Sequence, residues 1–503
     1  MRWIDNMADA IRQQMRSFLR ITPPQVNSFH ITETMDYYSS AALHRIWERG
    51  DADELSQLYK ALPGDTNRIR FWAAVPTSGC DINKLHTGIP GIMARILTDV
   101  TISDMNDVEI DSPENQQIWD KIAEENNFKG LIEEAVKTIL VVGDGAFKVS
   151  IDHNLSGLPI IEFVPGDQLE YEYSRGRVRE IVFRTEYESK AGTYVLEERY
   201  GKGYVRTRLL KGDREVPLST LPETSGLLPE VTFDKSFMMA QQLMAFKSNK
   251  YKGRGGSIFD RKADSFDSLD EAWSQWMDAL RRGRSKEYIP ENMLPRNPNT
   301  GEILAPNAFD HAYISVESSM QEGASNTIEV KQPEIPHESY QSTYITALDL
   351  CLQGVLSPST LGIDVKKLDN ADAQREKEKV TLYSRNKIVS AIQETIPKLV
   401  DMVIKVYCTD AKMPIKDVKA SIGFGEYANP SFESQVETVG KGKTQGIMSI
   451  EACVDELYGD SKDDAWKAEE VARLKAEQGI VDMEEPRVST EVEGFSIGFG
   501  NGV

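Results

Sequence analysis

The chain has no long apolar run and no targeting pattern. No stretch of about 18 apolar residues occurs, which argues against a transmembrane helix. The N-terminal MRWIDNMADAIRQQMRSFLR places Trp3, Met7, Ile11, Met15 and Phe18 on one helical face, but it has no continuous apolar core of the signal-peptide kind. We interpret it as a packing helix, with a helix lying on a membrane surface as the alternative.

Metal-binding and disulfide patterns are also lacking. The four cysteines are far apart and form no CxxC pair, which predicts reduced thiols and a cytoplasmic assembly. The six histidines are scattered, and none has a partner at zinc-ligand spacing. The sequence therefore predicts no metal site and no cofactor.

Catalytic motifs are incomplete where they occur at all. There is no GxSxG elbow and no cysteine in a catalytic context. Gly442-Lys443-Thr444 resembles the end of a phosphate-binding loop, but Glu437 stands where that loop needs its first glycine. We interpret it as a solvated turn between helices and predict that the chain is not an enzyme.

Acidity is the main bulk property of the chain. Its 503 residues carry a net charge of −21 with a pI near 4.9. Proteins that grip nucleic acid through phosphate contacts have basic surfaces, so the charge argues against tight binding of this kind. An acidic channel would instead let DNA slide without sticking.

Helical and strand periodicities alternate along the first half. Residues 1–62 and 114–141 have helical patterns, and apolar residues at three- and four-residue spacing predict another helix that begins near Pro90. Between Gly143 and Leu210 the period becomes two, which predicts an antiparallel meander of about five strands with one solvated face. The glycine-rich Tyr251–Ser257 is predicted to be a flexible hinge.

The second half is dominated by long helices. Residues 258–282 form an amphipathic helix, in which Trp273 and Trp276 are expected to pack against a neighbouring helix or subunit. Its end is basic and suits the negative pole of the helix dipole, with Arg281, Arg282, Arg284 and Lys286. Residues 287–337 are predicted to be a small irregular insertion with a single strand-like run, HAYISVES.

A second helix, a loop and a long helix follow the insertion. The second helix is predicted over 338–355, the loop over 356–370 and the long helix over 371–408. The loop carries the lysine pair Lys366 and Lys367, and Pro397 should kink the long helix near Gln393 because proline removes one backbone hydrogen bond. Residues 419–427 predict one strand that rejoins the earlier sheet, and 431–479 are helical again.

This order of parts resembles the portal proteins of tailed bacteriophages, of the type found in siphoviruses. The resemblance covers about residues 67–480 and rests on architecture together with several soft sequence patterns. These patterns are KLHTGIPGIMARILTDV, GLIEEAVKTILVVGDGAFKV, IIEFVPGDQLEYEY, NADAQREKEKV and TQGIMSIEACVDELYGD…EEVARLKAE. The last is the most telling, because a GIMS turn before a glutamate- and alanine-rich helix is common near the C-terminus of this family.

The resemblance implies an α+β portal fold with mainly helical wing, stem and crown, an antiparallel sheet in the wing and a small α/β clip. The parts it implies are an N-terminal region and wing at 1–257, a stem helix at 258–282, a clip at 283–337, a second stem helix at 338–355, a tunnel loop at 356–370, a long kinked helix at 371–408, a wing return strand at 409–430, a crown at 431–480 and a tail at 481–503.

The implied function is structural. A ring of about twelve copies would sit at the unique vertex of the capsid in the virion, after assembly in the host cytoplasm, and would conduct double-stranded DNA during packaging and ejection. The implied partners are the terminase large subunit, the head–tail adaptor, and the major capsid and scaffolding proteins, with no membrane. Lys366 and Lys367 would touch DNA in the tunnel, whereas Arg281, Arg282, Arg284 and Lys286 would line the lower tunnel or meet an acidic partner. The alternatives are another helical capsid or scaffold protein, or a packaging enzyme.

Overall fold

The structure is a computed structural model, and its description covers most of the chain. The described residues are 35–62, 70–75, 82–290, 293–294, 296–303, 312–316, 328–362, 371–415, 417–425, 432–459 and 462–477. They divide into two compact units, Met1–Gly425 and Glu426–Val503. Helices and mainly antiparallel sheets occupy separate parts of the first unit, which confirms the predicted α+β class.

The first unit begins with helices that have clear start and stop signals. Asp36 caps the first helix by accepting from Ser39 N at 2.8 Å, and Gly50 ends it in the left-handed region at φ 71°. Pro113 stands in the first turn of the fourth helix. The elements in this part are α1 (Tyr37–Arg49), α2 (Ala52–Ala61), α3 (Ile89–Ile102), β1 (Met105–Ile110), α4 (Pro113–Glu125) and α5 (Phe128–Val142).

The single helix predicted over 114–141 is two helices. Asn127 adopts the left-handed region at φ 44° between α4 and α5. The Asn126 side chain donates to the carbonyls of Ile122 and Pro159 and accepts from Ile161 N at 2.8 Å. This side chain therefore binds two distant backbone segments where the helix would otherwise continue.

Strands fill most of the chain from residue 144 to 244. They are β2 (Asp144–Ser150), β3 (Ile160–Pro165), β4 (Leu169–Ser174), β5 (Arg177–Ser189), β6 (Gly192–Gly201), β7 (Tyr204–Lys211), β8 (Arg214–Val216), β9 (Glu230–Thr232) and β10 (Ala240–Met244). The prediction of one five-stranded meander is wrong, because the strands form two sheets. One sheet has the order β10-β2-β3, and the other has β4-β5-β6-β7-β8 with β9 beside β7. The β10–β2 pairing joins residues about 100 positions apart, which local periodicity does not encode.

The larger sheet has one apolar and one charged face, and the charged face is only partly exposed to solvent, which corrects the prediction of a solvated face, since Glu180 and Glu197 are buried. Ile181, Phe183 and Tyr200 pack in an apolar cluster. On the other face, Arg199 Nε and Arg208 Nε each donate to Glu197 at 2.8 Å. Burial opposes ionisation of Glu197, but these two guanidinium groups lower its pKa.

The remaining elements of the first unit are three helices and four strands. They are α6 (Ala263–Arg282), β11 (Lys286–Pro290), β12 (Ala312–Val316), β13 (Glu329–Lys331), α7 (His337–Leu352), α8 (Ala371–Asp410) and β14 (Ala420–Phe424). The three strands between α6 and α7 form a sheet of order β12-β11-β13, with β11 and β12 parallel. The strand predicted over 419–427 is β14, but it pairs with β1 rather than with the strands after residue 143.

The second unit consists of helices in its described residues. They are α9 (Phe432–Thr444), α10 (Ile450–Tyr458) and α11 (Asp464–Glu477). Gly446 at φ 72° and Ser449, whose side chain caps α10, form the expected turn between the first two. Gly442-Lys443-Thr444 lies in the last turn of α9. The interpretation of these three residues as the turn between helices is therefore wrong, because that turn begins after Thr444.

One large apolar core unites the first unit. Its fully buried side chains include Trp47, Met93, Trp119, Phe147 and Ile392, from α1, α3, α4, β2 and α8. Among the described residues, no helix is long and apolar enough to cross a membrane.

Candidate functional site

Helices α6 and α7 form a hairpin that carries the small sheet between them. Its base lies in the main core through Phe266, Leu269, Leu348 and Leu352. The far half of α7 is exposed on most sides, from His337 to Thr346. The hairpin therefore extends from the core, and the three-stranded sheet lies at its outer end.

Aromatic side chains hold the two helices of the hairpin together. The Tyr344 ring on α7 lies 5.5 Å from that of Trp273 and 6.2 Å from that of Trp276, both on α6. The two tryptophan rings are 5.9 Å apart in an edge-to-face arrangement. The expectation that these tryptophans pack against a neighbouring helix is confirmed.

The predicted basic cluster lies where α6 meets the small sheet. Arg281, Arg282 and Arg284 are exposed, and Arg282 Nε pairs with Asp278 Oδ2 at 2.7 Å. Lys286 is the first residue of β11. Gly283, between the arginines, is buried against Ile335, and a Cβ there would collide with the isoleucine side chain. The chain thus brings the basic residues to the junction of α6 and the small sheet.

The inner half of α6 is tied to the segment before α3 through Asp270. This carboxylate is 1% exposed and accepts from Trp72 Nε1 at 3.1 Å, His86 Nδ1 at 2.7 Å and the Thr87 backbone N–H at 2.9 Å. The Thr87 hydroxyl donates to it as well. Four donors around one buried carboxylate fix α6 against the segment before α3, so the direction of the hairpin is set at its base.

A second carboxylate on α6, that of Asp267, lies one turn before Asp270 and binds the same preceding segment. Asp267 accepts from the backbone N–H groups of Phe71 and Trp72 at 2.9 and 3.3 Å. Burial raises the Asp267 pKa, and these N–H groups oppose that shift. Lys84 Nζ donates to the carbonyls of the same two residues. The backbone of Phe71 and Trp72 is therefore bound by the Asp267 carboxylate through its N–H groups and by the Lys84 ammonium through its carbonyls.

The glycine-rich segment before α6 is anchored rather than a free hinge, which corrects the prediction. Arg254 donates from Nε and Nη2 to the buried Asp144 at 3.0 and 2.8 Å. The Gly255 N–H and the Tyr37 hydroxyl donate to the same carboxylate. The guanidinium also lies 3.7 Å from the Tyr37 ring centroid. Glycine at 255 is required because a Cβ would collide with the Gly143 carbonyl.

The loop after α7 begins in an ordered turn tied to α8. Pro358–Leu361 form a 3₁₀ turn that ends at Gly362 with φ 69°. The Ser357 N–H donates to Thr381 Oγ1 at 2.9 Å, and the Thr360 and Thr381 hydroxyls are also 2.9 Å apart. Lys366 and Lys367 lie outside the described residues.

Two buried cations fix the long helix α8 along its length. Arg385 donates to the carbonyls of Val100 and Gly425 at 3.1 and 2.9 Å and to Asp104 at 3.2 Å. Lys405 donates to Asp401 and Asp417, each at 2.7 Å. Pro397 lies inside α8, which continues to Asp410, and its kink stays a prediction.

Sequence reasoning missed most of these anchoring residues. Asp144 and Arg254 are 110 positions apart, and only their glycine neighbours, in GDG and GRGG, hint at close backbone approach. Asp270 carries no such signal, because an aspartate in a helical pattern is most often solvated. Among the described residues, no group of three or more histidine, cysteine, aspartate or glutamate side chains is arranged to hold a metal.

Comparison with known proteins gave matches to solved structures only. No protein-family model and no curated protein sequence matches the chain. A chain of the "Virion of native gene transfer agent (GTA) particle" is 13% identical over 76% of this chain and 89% of its own length, with a TM-score of 0.37. A chain of the "Neck of native GTA particle computed with C12 symmetry" is 13% identical over 73% and 89%, with a TM-score of 0.36. One of the "Neck of empty GTA particle computed with C6 symmetry" is 12% identical over 72% and 87%, with a TM-score of 0.35. Scores of this size do not establish a shared fold.

Proposed function

We propose that this chain is the subunit of a phage-type portal ring, a structural conduit for double-stranded DNA. The observation that carries the proposal is the α6–α7 hairpin, which is fixed in the core at its base and bears a small sheet at its outer end. Together with a loop and a 40-residue helix that follow it, the hairpin has the order of stem, clip, stem, tunnel loop and long helix that the sequence motifs suggest.

The exposed half of α7 suits a surface past which DNA moves. Between residues 339 and 346 its exposed side chains are uncharged hydroxyl or amide groups: Ser339, Gln341, Ser342, Thr343 and Thr346. Such groups do not attract phosphate over a distance, and the net charge of −21 per chain opposes sticking. In this proposal α7 faces the channel, and the lysines of the following loop supply the few direct contacts.

The rest of the assignment follows the same scheme. The chain acts without catalysis or a cofactor, as a ring of about twelve copies at one capsid vertex. The insertion between α6 and α7, with Arg281, Arg282 and Arg284 at its base, meets the terminase motor and later the head–tail adaptor. The second unit faces the capsid interior, where scaffolding and capsid proteins are its neighbours.

The lysine pair of the tunnel loop provides the functional test. We expect Lys366→Ala with Lys367→Ala to leave ring assembly intact and to change DNA packaging or retention, because the variant removes phosphate contacts without touching the described anchors. Packaged DNA per particle is the measurement, and Lys121→Ala with Lys129→Ala, at exposed positions on α4 and α5, is the control. Failure of the loop variant to assemble would assign these lysines a structural role instead.

A further inference from the structure

A groove of about 850 Å³ lies beside the N-terminal half of α8, at Val380 to Lys387. Its walls are the end of α7, the exposed side of α8 near Tyr383, and the segments on either side of the Arg254 anchor. Asp260 is the one acidic lining residue among those described. Five basic residues also line the groove: Lys247, Lys250, Arg261, Lys262 and Lys387. This local excess of positive charge contrasts with the net charge of −21 for the chain.

The groove is also apolar. Tyr383 is 65% exposed and Val380 is 36% exposed, one turn apart on the same side of α8 as Lys387. Phe246 and Val355 continue the apolar lining. Large exposed apolar side chains grouped inside a cationic rim are typical of a surface that binds another protein segment.

Two of the basic side chains, Lys262 and Lys387, contact their surroundings in the unbound chain. Lys262 Nζ donates to the carbonyls of Leu350 and Gln353 at the end of α7, at 3.1 and 2.9 Å. Lys387 Nζ lies 5.7 Å from the Phe246 ring centroid. Arg261 has φ 64°, in the left-handed region that residues with a Cβ rarely adopt. Such an outlier persists only where its surroundings impose it, which indicates a preformed wall.

His44 lies in the lining of the groove and adds no positive charge to it at pH 7. Burial, and then the nearby Lys250, lower the His44 pKa to about 4, so this imidazole is neutral at pH 7. Its Nδ1 has no hydrogen-bond partner among the described residues. Burial raises the Asp260 pKa, whereas the Ser257 backbone and the nearby Lys250 and Arg261 oppose that shift. Among the described lining residues, five basic side chains therefore face one carboxylate, that of Asp260.

We infer that this groove is the docking surface for an acidic segment with apolar side chains from a second copy of the chain. The inference rests on the proposed function, because a cyclic ring joins one face of each subunit to a different face of the next. An acidic chain offers such segments, and opposite charge favours the encounter and its register. DNA is the less suitable ligand, since half of the lining is apolar whereas phosphate-binding surfaces are polar and basic.

Charge reversal in the groove tests the inference. The variant is Lys247→Glu with Lys387→Glu, and the matched control is Lys121→Glu with Lys129→Glu, all at exposed positions. We expect the wild type and the control to form rings, and the groove variant to need a roughly 100-fold higher protein concentration. Size-exclusion chromatography with light scattering measures assembly, and circular dichroism with urea unfolding confirms that each variant is folded.

The outcomes separate the two proposals. Rings of the groove variant at the wild-type concentration would overturn the docking inference and leave the portal proposal in place. A wild-type protein that forms no ring at any concentration would overturn the portal proposal, and the docking inference with it.

A photo-crosslinker at position 383 supplies a second test that does not depend on charge reversal. Replacement of Tyr383 by p-benzoylphenylalanine keeps an aromatic ring in the groove, so folding should be preserved. We expect irradiation to join two copies of the chain, with the crosslink at an acidic segment of the second copy. Crosslinks within one chain only, or to added duplex DNA only, would contradict the inference.

Discussion

Replacing Asp144 by alanine should destabilise the first unit by about 3–5 kcal/mol, the cost of removing one partner from a buried ion pair. The substitution leaves the Arg254 guanidinium buried without its counterion. The Gly255 N–H and the Tyr37 hydroxyl lose their acceptor as well. We expect a large decrease in the urea concentration at the midpoint of unfolding. The fluorescence of the buried Trp47, Trp72 and Trp119 monitors this transition.

An exposed ion pair provides the comparison for Asp144. Glu394 and Lys398 pair at 2.8 Å on the surface of α8, with side chains 76% and 54% exposed. Exposed pairs contribute about 0–1 kcal/mol, so Glu394→Ala should hardly change the midpoint. Equal effects of Asp144→Ala and Glu394→Ala would mean that the Asp144 cluster does not anchor the segment before α6.

The second large effect is expected at Asp270, which holds the base of the hairpin. Asp270→Ala leaves Trp72 Nε1, His86 Nδ1 and the Thr87 N–H without their acceptor in a buried site. Each orphaned donor costs about 1–3 kcal/mol, and local relaxation reduces the sum, so we expect a loss of about 3–5 kcal/mol. Because the direction of α6 depends on this carboxylate, ring assembly should fail at protein concentrations where the wild type assembles.

Asp278 is the matched control on the same helix. Its side chain is 18% exposed and pairs with Arg282, whose side chain is 55% exposed and in contact with solvent. Asp278→Ala should therefore change stability by no more than about 1 kcal/mol and leave assembly unaffected. If Asp270→Ala protein unfolds and assembles like the Asp278→Ala control, α6 is oriented by its apolar contacts alone, and the role assigned to Asp270 is wrong.

Local patterns were sufficient for much of the architecture. The stem helices predicted over 258–282 and 338–355 correspond to α6 and α7, which start or end within a few residues of those bounds. The long helix predicted over 371–408 corresponds to α8, and the strand-like HAYISVES contains β12. These segments have strong periodicity, and glycine or proline marks several of their ends.

Pairings between distant segments could not be predicted in the same way. The strands divide into two sheets because β2 pairs with β3 and with the distant β10, whereas β4 pairs with β5. Likewise β14 pairs with β1 across more than 300 residues. The supposed hinge was misjudged because glycine permits both mobility and close packing. Here close packing results, since Asp144 accepts from both Arg254 and Gly255.

The most direct test of the account is electron microscopy of the purified full-length protein, with class averages viewed along the symmetry axis. We expect a ring of about twelve subunits around an open channel wide enough for duplex DNA, because the proposed stem hairpins surround a central axis. A monomer, or a closed particle without a channel, over the full range of accessible protein concentrations would contradict the proposal that this chain forms a DNA conduit.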